Sequence, residues 1–142
     1  MNDMQINLVK TTWESLTPNA DKVALLFYSN LFEMEPEYRK MFGTDRESQG
    51  KKLMMMLNTA VRSLDVIESV VPAVQALGQR HVKYGVGADD YATVGAALLK
   101  TLEQGLGDAF TEETKEAWTL TYTTLSGVMI DAAAELEQDV VA

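Results

Sequence analysis

Apolar residues along this chain recur at intervals of three and four positions, which is the spacing of one face of an α-helix. The inward positions that these stripes predict are Ile6, Val9 and Trp13; Val23, Leu26, Phe27, Asn30 and Leu31; Leu53, Met56, Leu57, Ala60 and Leu64; Val74, Leu77 and His81; Val94, Leu98 and Leu102; and Trp118, Tyr122, Leu125 and Met129. No stretch alternates with period two for long enough to predict a strand. The pattern therefore predicts an all-α protein of about seven helices.

Residues that begin or end helices separate these stripes. The predicted boundaries are a stop at Thr17-Pro18-Asn19, which also offers a cap; a short helix from Pro36 through Met41-Phe42; a Thr44 and Glu47 capping box before a helix that ends near Leu64; a helix from Pro72 to Gly85; a helix capped by Asp89 and stopped at Gly105-Leu106-Gly107; and a last helix capped by Thr111. We find no repeat and no linker, so we expect a single domain over residues 1–142.

Composition narrows the classes of function. The 142 residues carry a formal net charge of -9 and no cysteine. Such an acidic chain repels phosphate backbones, which argues against nucleic-acid binding, and the missing thiols exclude disulfides, thiolate metal sites and thiol nucleophiles. The start of the chain is neither basic nor strongly apolar, so we expect no signal peptide, no membrane contact and a cytoplasmic location.

His81 is the only histidine, and it lies near the end of the helix that is predicted to stop at Gly85. One interpretation is that it is an ordinary core or surface residue. The other is that it binds haem iron. The iron prefers a neutral imidazole that lies in an apolar pocket and whose second ring nitrogen donates a hydrogen bond to an acceptor. Here that acceptor would be the carbonyl of Leu77, one turn earlier. The spacing alone leaves both interpretations open.

Several segments resemble globin motifs in the right order. They are LFYSNLF (26–32) with Met41-Phe42, LGQRHVKYGV (77–86), YATVG (91–95) with Leu98-Leu99, and AFT (109–111) followed by EAW (116–118) and Tyr122. The match is closest to bacterial single-domain haemoglobins, the globin part of flavohaemoglobins, and neuroglobin. The resemblance implies a globin fold, a three-over-three helical sandwich around one haem b (iron protoporphyrin IX), with His81 as the ligand of the haem iron.

The resemblance also assigns the opposite, distal side of the haem. Tyr28 matches the distal tyrosine of bacterial globins, and Gln49, one turn before Leu53, matches the distal position. Outside a globin, Tyr28 would be an ordinary core aromatic and Gln49 a solvated residue of a first helical turn. A hydroxyl and an amide N–H stabilise partial negative charge on a bound gas, so dioxygen should gain more from them than carbon monoxide.

Other residues of the pocket follow from the same alignment. Phe42 would stack on the haem, and the predicted walls are Leu53, Leu77, Val86, Val94 and Leu98. Lys52 and Arg80 are candidate partners for the haem propionates, although either could equally be a solvated surface cation. Lys52 or a residue of Met54-Met55-Met56 could in principle ligate ferric iron, but nothing in the sequence supports this.

Departures from the family pattern affect the expected function. Tyr91 matches a tyrosine beside the proximal histidine of flavohaemoglobins, whereas Ala133 falls where those proteins have a glutamate, with Glu135 close by. This difference argues against strong peroxidase-like or reductase-coupled activity. The chain ends at Ala142, so we expect no attached reductase.

Three functions remain compatible with the sequence. The leading expectation is reversible binding of O2, CO and NO, as in oxygen transport, by a monomer or weak homodimer. The first alternative is a nitric oxide dioxygenase for nitric oxide detoxification, which would need an external reductase. The second is a globin-like module without haem that only contacts partner proteins.

Overall fold

Six α-helices connected by short 3₁₀ segments make up the computed structural model, which describes residues 1–40, 46–83 and 87–141 and, for residues 46, 83 and 136–141, the backbone alone. The α-helices are α1 (Asp3–Leu16), α2 (Ala20–Met34), α3 (Arg46–Arg62), α4 (Val71–Lys83), α5 (Ala88–Leu106) and α6 (Glu112–Val141). The 3₁₀ segments are Thr17–Asn19, Pro36–Lys40, Leu64–Ser69 and Gly107–Ala109. The described ranges contain no strand, and the all-α prediction is confirmed.

Polar side chains cap several helices, and the cap predicted for α5 is wrong. The hydroxyl of Thr111 accepts a hydrogen bond from the backbone N–H of Thr114 at 3.2 Å, as a cap of α6 should. In contrast, Asp89 does not cap α5. That helix begins after Gly87, and the carboxylate of Asp90 accepts from the Gly87 backbone N–H at 2.8 Å. Asp89 and Asp90 are adjacent, and the carboxylate at the third helical position reaches back to the cap.

Three other details of the helices differ from the prediction. The segment that begins at Pro36 is a 3₁₀ turn and not an α-helix. The side chain of Asn19 makes no capping hydrogen bond to α2. The α3 helix ends at Arg62, and its buried face carries Met54 instead of Met56, which is 38% exposed. A run of three methionines cannot indicate which one faces inward, because neighbouring residues differ by about 100° around the helix.

The core forms where α1 packs on α6 and where α2 packs on both α3 and α5. Trp13 and Trp118 meet across the first of these contacts with their ring centroids 6.1 Å apart. The indole N–H of Trp118 donates to the buried hydroxyl of Thr12 at 2.9 Å, which satisfies a donor that burial would otherwise penalise. Packing of α4 against α6 completes the arrangement and positions His81.

Within the described ranges, none of the helices has the length and apolar content needed to cross a lipid bilayer.

Candidate functional site

His81 lies in the last turn of α4 with a partly buried side chain. Its Nδ1 atom is 2.7 Å from the carbonyl oxygen of Leu77, one turn earlier. A carbonyl can only accept, so Nδ1 must carry the proton and donate. In the neutral ring the lone pair is then on Nε2, and the ring orientation is set by the hydrogen bond.

A close contact between two helices holds α4 in place. A Cβ atom on Gly78 would lie 2.6 Å from the carbonyl oxygen of Met129 and 2.7 Å from its Cα. Only glycine permits the α4 and α6 backbones to approach this closely. Because His81 follows Gly78 by less than one turn, this contact also determines where the imidazole lies.

Tyr91 on α5 lies beside the imidazole. The two rings are stacked at an interplanar angle of 27° with their centroids 6.3 Å apart. Tyr91 is buried, and its hydroxyl has no hydrogen-bond partner among the described residues. Burial, followed by the charge of Asp90, raises the pKa of Tyr91, so the hydroxyl stays protonated near neutral pH.

Tyr122 on α6 supports the backbone of Tyr91. Its hydroxyl donates to the carbonyl oxygen of Tyr91 at 2.6 Å, and burial is the main cause that raises the pKa of Tyr122. Gly95 makes room for the ring, since a Cβ at that position would lie 2.7 Å from a ring carbon of Tyr122. The sequence placed Tyr122 on an inward stripe but did not indicate this supporting role.

A hydrogen bond connects the start of α5 to the 3₁₀ segment Pro36–Lys40. The hydroxyl of Tyr38 donates to the carboxylate of Asp90 at 2.5 Å. Burial first, and then this hydrogen bond, raise the pKa of Tyr38 to about 12. The carboxylate of Asp90 therefore accepts hydrogen bonds from both Tyr38 and the backbone of Gly87. Asp90 directly precedes Tyr91 in the sequence.

Tyr28 lies on α2 in a cluster of aromatic rings. Its ring is stacked on that of Phe32 at 6.0 Å between centroids and contacts Phe27 edge-on at 5.4 Å. Burial raises the pKa of Tyr28, so the hydroxyl remains a hydrogen-bond donor at neutral pH.

A second glycine brings α3 close to Tyr28. A Cβ on Gly50 would lie 3.0 Å from the Cβ of Ala24 and 3.9 Å from a ring carbon of Tyr28. Gln49 precedes Gly50, so its backbone lies on the part of α3 that approaches Tyr28. The Gln49 Oε1 atom is buried and has no hydrogen-bond partner among the described residues.

The remaining predicted residues fall into three groups. Leu53, Leu77 and Val94 are partly buried, and Leu98 is buried in the core. Lys52 and Arg80 are exposed, and neither forms an ion pair within the described part of the chain. Phe42 and Val86 lie outside the described residues, as do Thr44 and Gly85.

Ala133 and Glu135 are the two residues that the resemblance places at or near the glutamate of flavohaemoglobins. Ala133 is partly buried on α6, and Glu135 is exposed. Since the Tyr91 hydroxyl has no partner among the described residues, it has no carboxylate acceptor there. Among those residues, no group of three or more His, Cys, Asp and Glu side chains could hold a metal ion by itself.

Glycines inside predicted helices were the one sequence signal for the close contacts between helices. Gly50, Gly78 and Gly95 lie inside helices, where glycine costs about 1 kcal/mol relative to alanine. At these three positions the cost is matched by a close approach to another element, whereas Gly127 inside α6 has no neighbouring atom within 4 Å of where a Cβ would lie, so an interior helical glycine is a signal for such a contact but not proof of one.

Comparison with known proteins identifies the family. The Globin family model matches residues 25–129, and this chain belongs to the globin family. A flavohemoprotein of Oceanobacillus iheyensis is 27% identical over 91% of this chain, which spans only 32% of that protein. A neuroglobin of Dissostichus mawsoni is 28% identical over 98% of this chain and 96% of its own length.

Solved structures show the same fold. A bacterial globin from Campylobacter jejuni superimposes with a TM-score of 0.86 and 28% identity, over 96% of this chain and 99% of that one. An engineered carbene transferase from Rhodothermus marinus, described provisionally as a nitric oxide dioxygenase, superimposes with a TM-score of 0.87 and 26% identity over 100% of this chain and 99% of its own. The fold is the all-α globin fold, as predicted.

Family membership implies a haem cofactor and supports binding of small gases in general. The described residues fit such a group. His81 has the tautomer that an iron ligand needs, and the buried Oε1 atom of Gln49 has no hydrogen-bond partner among the residues that the structure describes. Tyr28 contributes a protonated hydroxyl.

Proposed function

We propose that this protein reversibly binds dioxygen and the related gases CO and NO at a haem whose iron is held by His81, with Tyr28 and Gln49 as distal donors. The observation that carries the proposal is the 2.7 Å hydrogen bond between His81 Nδ1 and the Leu77 carbonyl. It gives the single histidine of the chain the tautomer and the ring orientation that a haem ligand requires.

When bound, the haem would supply an iron atom with one open position for a diatomic gas. His81 would provide Nε2 as the axial ligand, and Leu77 would keep the ring from rotating. Because the chain has no cysteine, the cofactor would be held without thioether bonds, as haem b. Lys52 and Arg80, both exposed, would be placed to pair with its propionates.

Tyr28 and Gln49 would determine which gas is retained. A protonated hydroxyl and an amide N–H both donate hydrogen bonds, and these are strongest to a ligand that carries partial negative charge. Each donor would contribute on the order of 1–2 kcal/mol, which corresponds to roughly tenfold in the dissociation rate of dioxygen. Carbon monoxide carries less charge and would be affected less.

The apolar side chains would keep water out of this space. Leu53, Leu77, Val94 and Leu98 are predicted walls, together with Phe42 and Val86 outside the described residues. A dry pocket strengthens each donor, because a hydrogen bond to a charged group is stronger where the effective dielectric constant is low.

The test is the dissociation rate of each gas from Tyr28→Phe in the haem-loaded protein. We expect dioxygen release to accelerate roughly tenfold and carbon monoxide release to change much less. Tyr38→Phe is the matched control. It also removes a tyrosine hydroxyl, but that hydroxyl bonds to Asp90, whereas Tyr28 is stacked on Phe32. Equal effects of Tyr28→Phe on both gases would contradict the assigned role of Tyr28.

A second candidate function is nitric oxide dioxygenation, which converts nitric oxide and dioxygen to nitrate. An external reductase would then have to return the iron from the ferric to the ferrous state. Its relatives favour this candidate, since the Rhodothermus marinus protein is described provisionally as such an enzyme and other relatives are flavohemoproteins. Steady-state nitrate formation with a supplied flavin reductase would support this candidate. One turnover followed by arrest in the ferric state would support gas binding alone.

A further inference from the structure

Asn30 is an amide inside the apolar stripe of α2, and it is only 3% exposed. Its Nδ2 atom donates two hydrogen bonds to α5, one to the hydroxyl of Thr101 at 3.0 Å and one to Oε1 of Gln104 at 2.9 Å. The Thr101 hydroxyl in turn donates to the carbonyl of Ala97 at 2.7 Å. Both N–H groups of the buried amide are therefore satisfied, and they connect α2 to residues more than 70 positions away.

These hydrogen bonds restrain α2 in a way that its apolar contacts do not. Apolar contact is non-directional, so a helix held only by apolar side chains can rotate or slide slightly at little cost. Two hydrogen bonds from one amide to two acceptors on the same helix define both the rotation of α2 and its position along its axis. The network acts as a polar lock, formed by Asn30, Thr101 and Gln104, between α2 and α5.

The polar lock lies two residues from Tyr28, on roughly the opposite side of α2. Tyr28 faces α3 through the close approach at Gly50, whereas Asn30 faces α5. The α2 helix is therefore held from both sides, by helix contact at Gly50 and by directional hydrogen bonds at Asn30. Rotation of α2 about its axis would carry the Tyr28 hydroxyl with it.

We propose that Asn30 is a positioning residue for Tyr28: the polar lock to α5 holds α2 in the rotation at which the Tyr28 hydroxyl meets the bound gas. This inference rests on the proposed function of Tyr28 and adds to it the residue that controls its geometry. A displacement well below 1 Å is enough to weaken a hydrogen bond to a small ligand.

The test uses Asn30→Leu in the haem-loaded protein. Leucine has a similar shape, and the two acceptors of the Asn30 amide do not become buried and unpartnered, because Thr101 still donates to Ala97 and Gln104 is exposed to water. We expect dioxygen release to accelerate about threefold, less than for Tyr28→Phe, while carbon monoxide release stays close to its original rate. In the Tyr28→Phe background, Asn30→Leu should add nothing, since there is no hydroxyl left to displace.

The matched control is Thr12→Val, which breaks another buried hydrogen bond between helices, the one from Trp118 at 2.9 Å. It should lower the unfolding temperature without changing the release of either gas. Amide hydrogen exchange on the same haem-loaded variants gives an independent readout, because Asn30→Leu should speed exchange in α2 and leave α6 unchanged.

If Asn30→Leu does not fold, Gln104→Ala replaces it. Gln104 is exposed, and its removal breaks one of the two hydrogen bonds of the lock, so a smaller rise in dioxygen release is expected. The proposal is overturned if the lock variant leaves dioxygen release unchanged while Tyr28→Phe accelerates it, or if the rise persists in the Tyr28→Phe background. A null result for Tyr28→Phe itself would instead contradict the proposed role of Tyr28.

Discussion

The proposed proximal side of the site, around His81, and the proposed distal side, around Tyr28 and Gln49, are built differently. On the proximal side the polar groups are mostly bonded to other protein groups: His81 to the Leu77 carbonyl and Tyr122 to the Tyr91 carbonyl. On the distal side the ring of Tyr28 is held by aromatic stacking, and Gln49 has a buried polar atom without a partner among the described residues.

The difference suits two separate roles, one in holding the cofactor and one in binding the gas. A group that must hold a cofactor in one orientation benefits from being fully bonded within the protein. A group that must bind a transient ligand has to keep some bonding capacity unused, at a cost in the stability of the ligand-free protein. Removing a bonded group around His81 should therefore destabilise the protein, whereas removing the unpartnered amide of Gln49 should stabilise its haem-free form.

The largest expected difference is between two glycine substitutions. Gly78→Ala would bring a Cβ to 2.6 Å from a backbone oxygen of Met129, and we expect the free energy of unfolding to fall by about 2–3 kcal/mol. Gly50→Ala would bring a Cβ to 3.0 Å from the Ala24 side chain, and the gain in helix propensity of about 1 kcal/mol should offset most of that strain. Urea unfolding of both variants measures the contrast, and equal losses would contradict it.

Tyr122→Phe should have the next largest effect. It removes the hydrogen bond at 2.6 Å to the Tyr91 carbonyl, and we expect a loss of about 1 kcal/mol in the free energy of unfolding. Because Tyr91 is stacked on His81, the variant should also bind haem less tightly. The checks are urea unfolding and transfer of haem to apomyoglobin, and a variant that matches the original protein in both would show that Tyr122 gives no support.

Gln49→Leu should act in the opposite direction. The substitution removes a buried polar atom that has no partner in the described residues, so the haem-free protein should gain up to about 1 kcal/mol in the free energy of unfolding. The same variant should release dioxygen faster once haem is bound. A loss of stability together with unchanged dioxygen release would assign Gln49 a structural role and contradict the division between the two sides.

The last expected effect appears only at alkaline pH. Burial and the hydrogen bond to Asp90 raise the pKa of Tyr38 from 10.0 to about 12 in the folded protein. A folded pKa above the unfolded one contributes stability that is complete below pH 10 and is lost as the pH rises toward 12. The stability difference between the original protein and Tyr38→Phe should therefore shrink over this interval in urea unfolding followed by circular dichroism. A difference that stays constant with pH would contradict the shift.

Local features of the site were the most predictable from sequence. The contact between His81 and Leu77 lies within one helical turn, so periodicity and a stop signal suffice to expect it. Contacts between helices were less accessible. Asn30 was predicted to face inward with its apolar neighbours, but its partners Thr101 and Gln104 are 71 and 74 residues away, and nothing in the local pattern indicates them.

The sequence also did not predict the rotation of a helix about its axis, which decides which residues face inward. In the run of methionines on α3, Met54 is buried and Met56 is more exposed, because the helix turns the face that begins at Gly50 toward α2. Similarly, either Asp89 or Asp90 could cap α5, and only the hydrogen bond to Gly87 distinguishes them. These choices depend on neighbouring elements and not on residue type.

The central claim is that His81 holds the haem, and the absorption spectrum of His81→Gly tests it most directly. We predict that the original protein shows a Soret band in its ferric, ferrous and carbon monoxide forms. His81→Gly should lose or shift that band and regain it when imidazole is added, because free imidazole can take the place of the deleted side chain. A His81→Gly protein whose spectra match those of the original protein in all three forms, without imidazole, would contradict the claim.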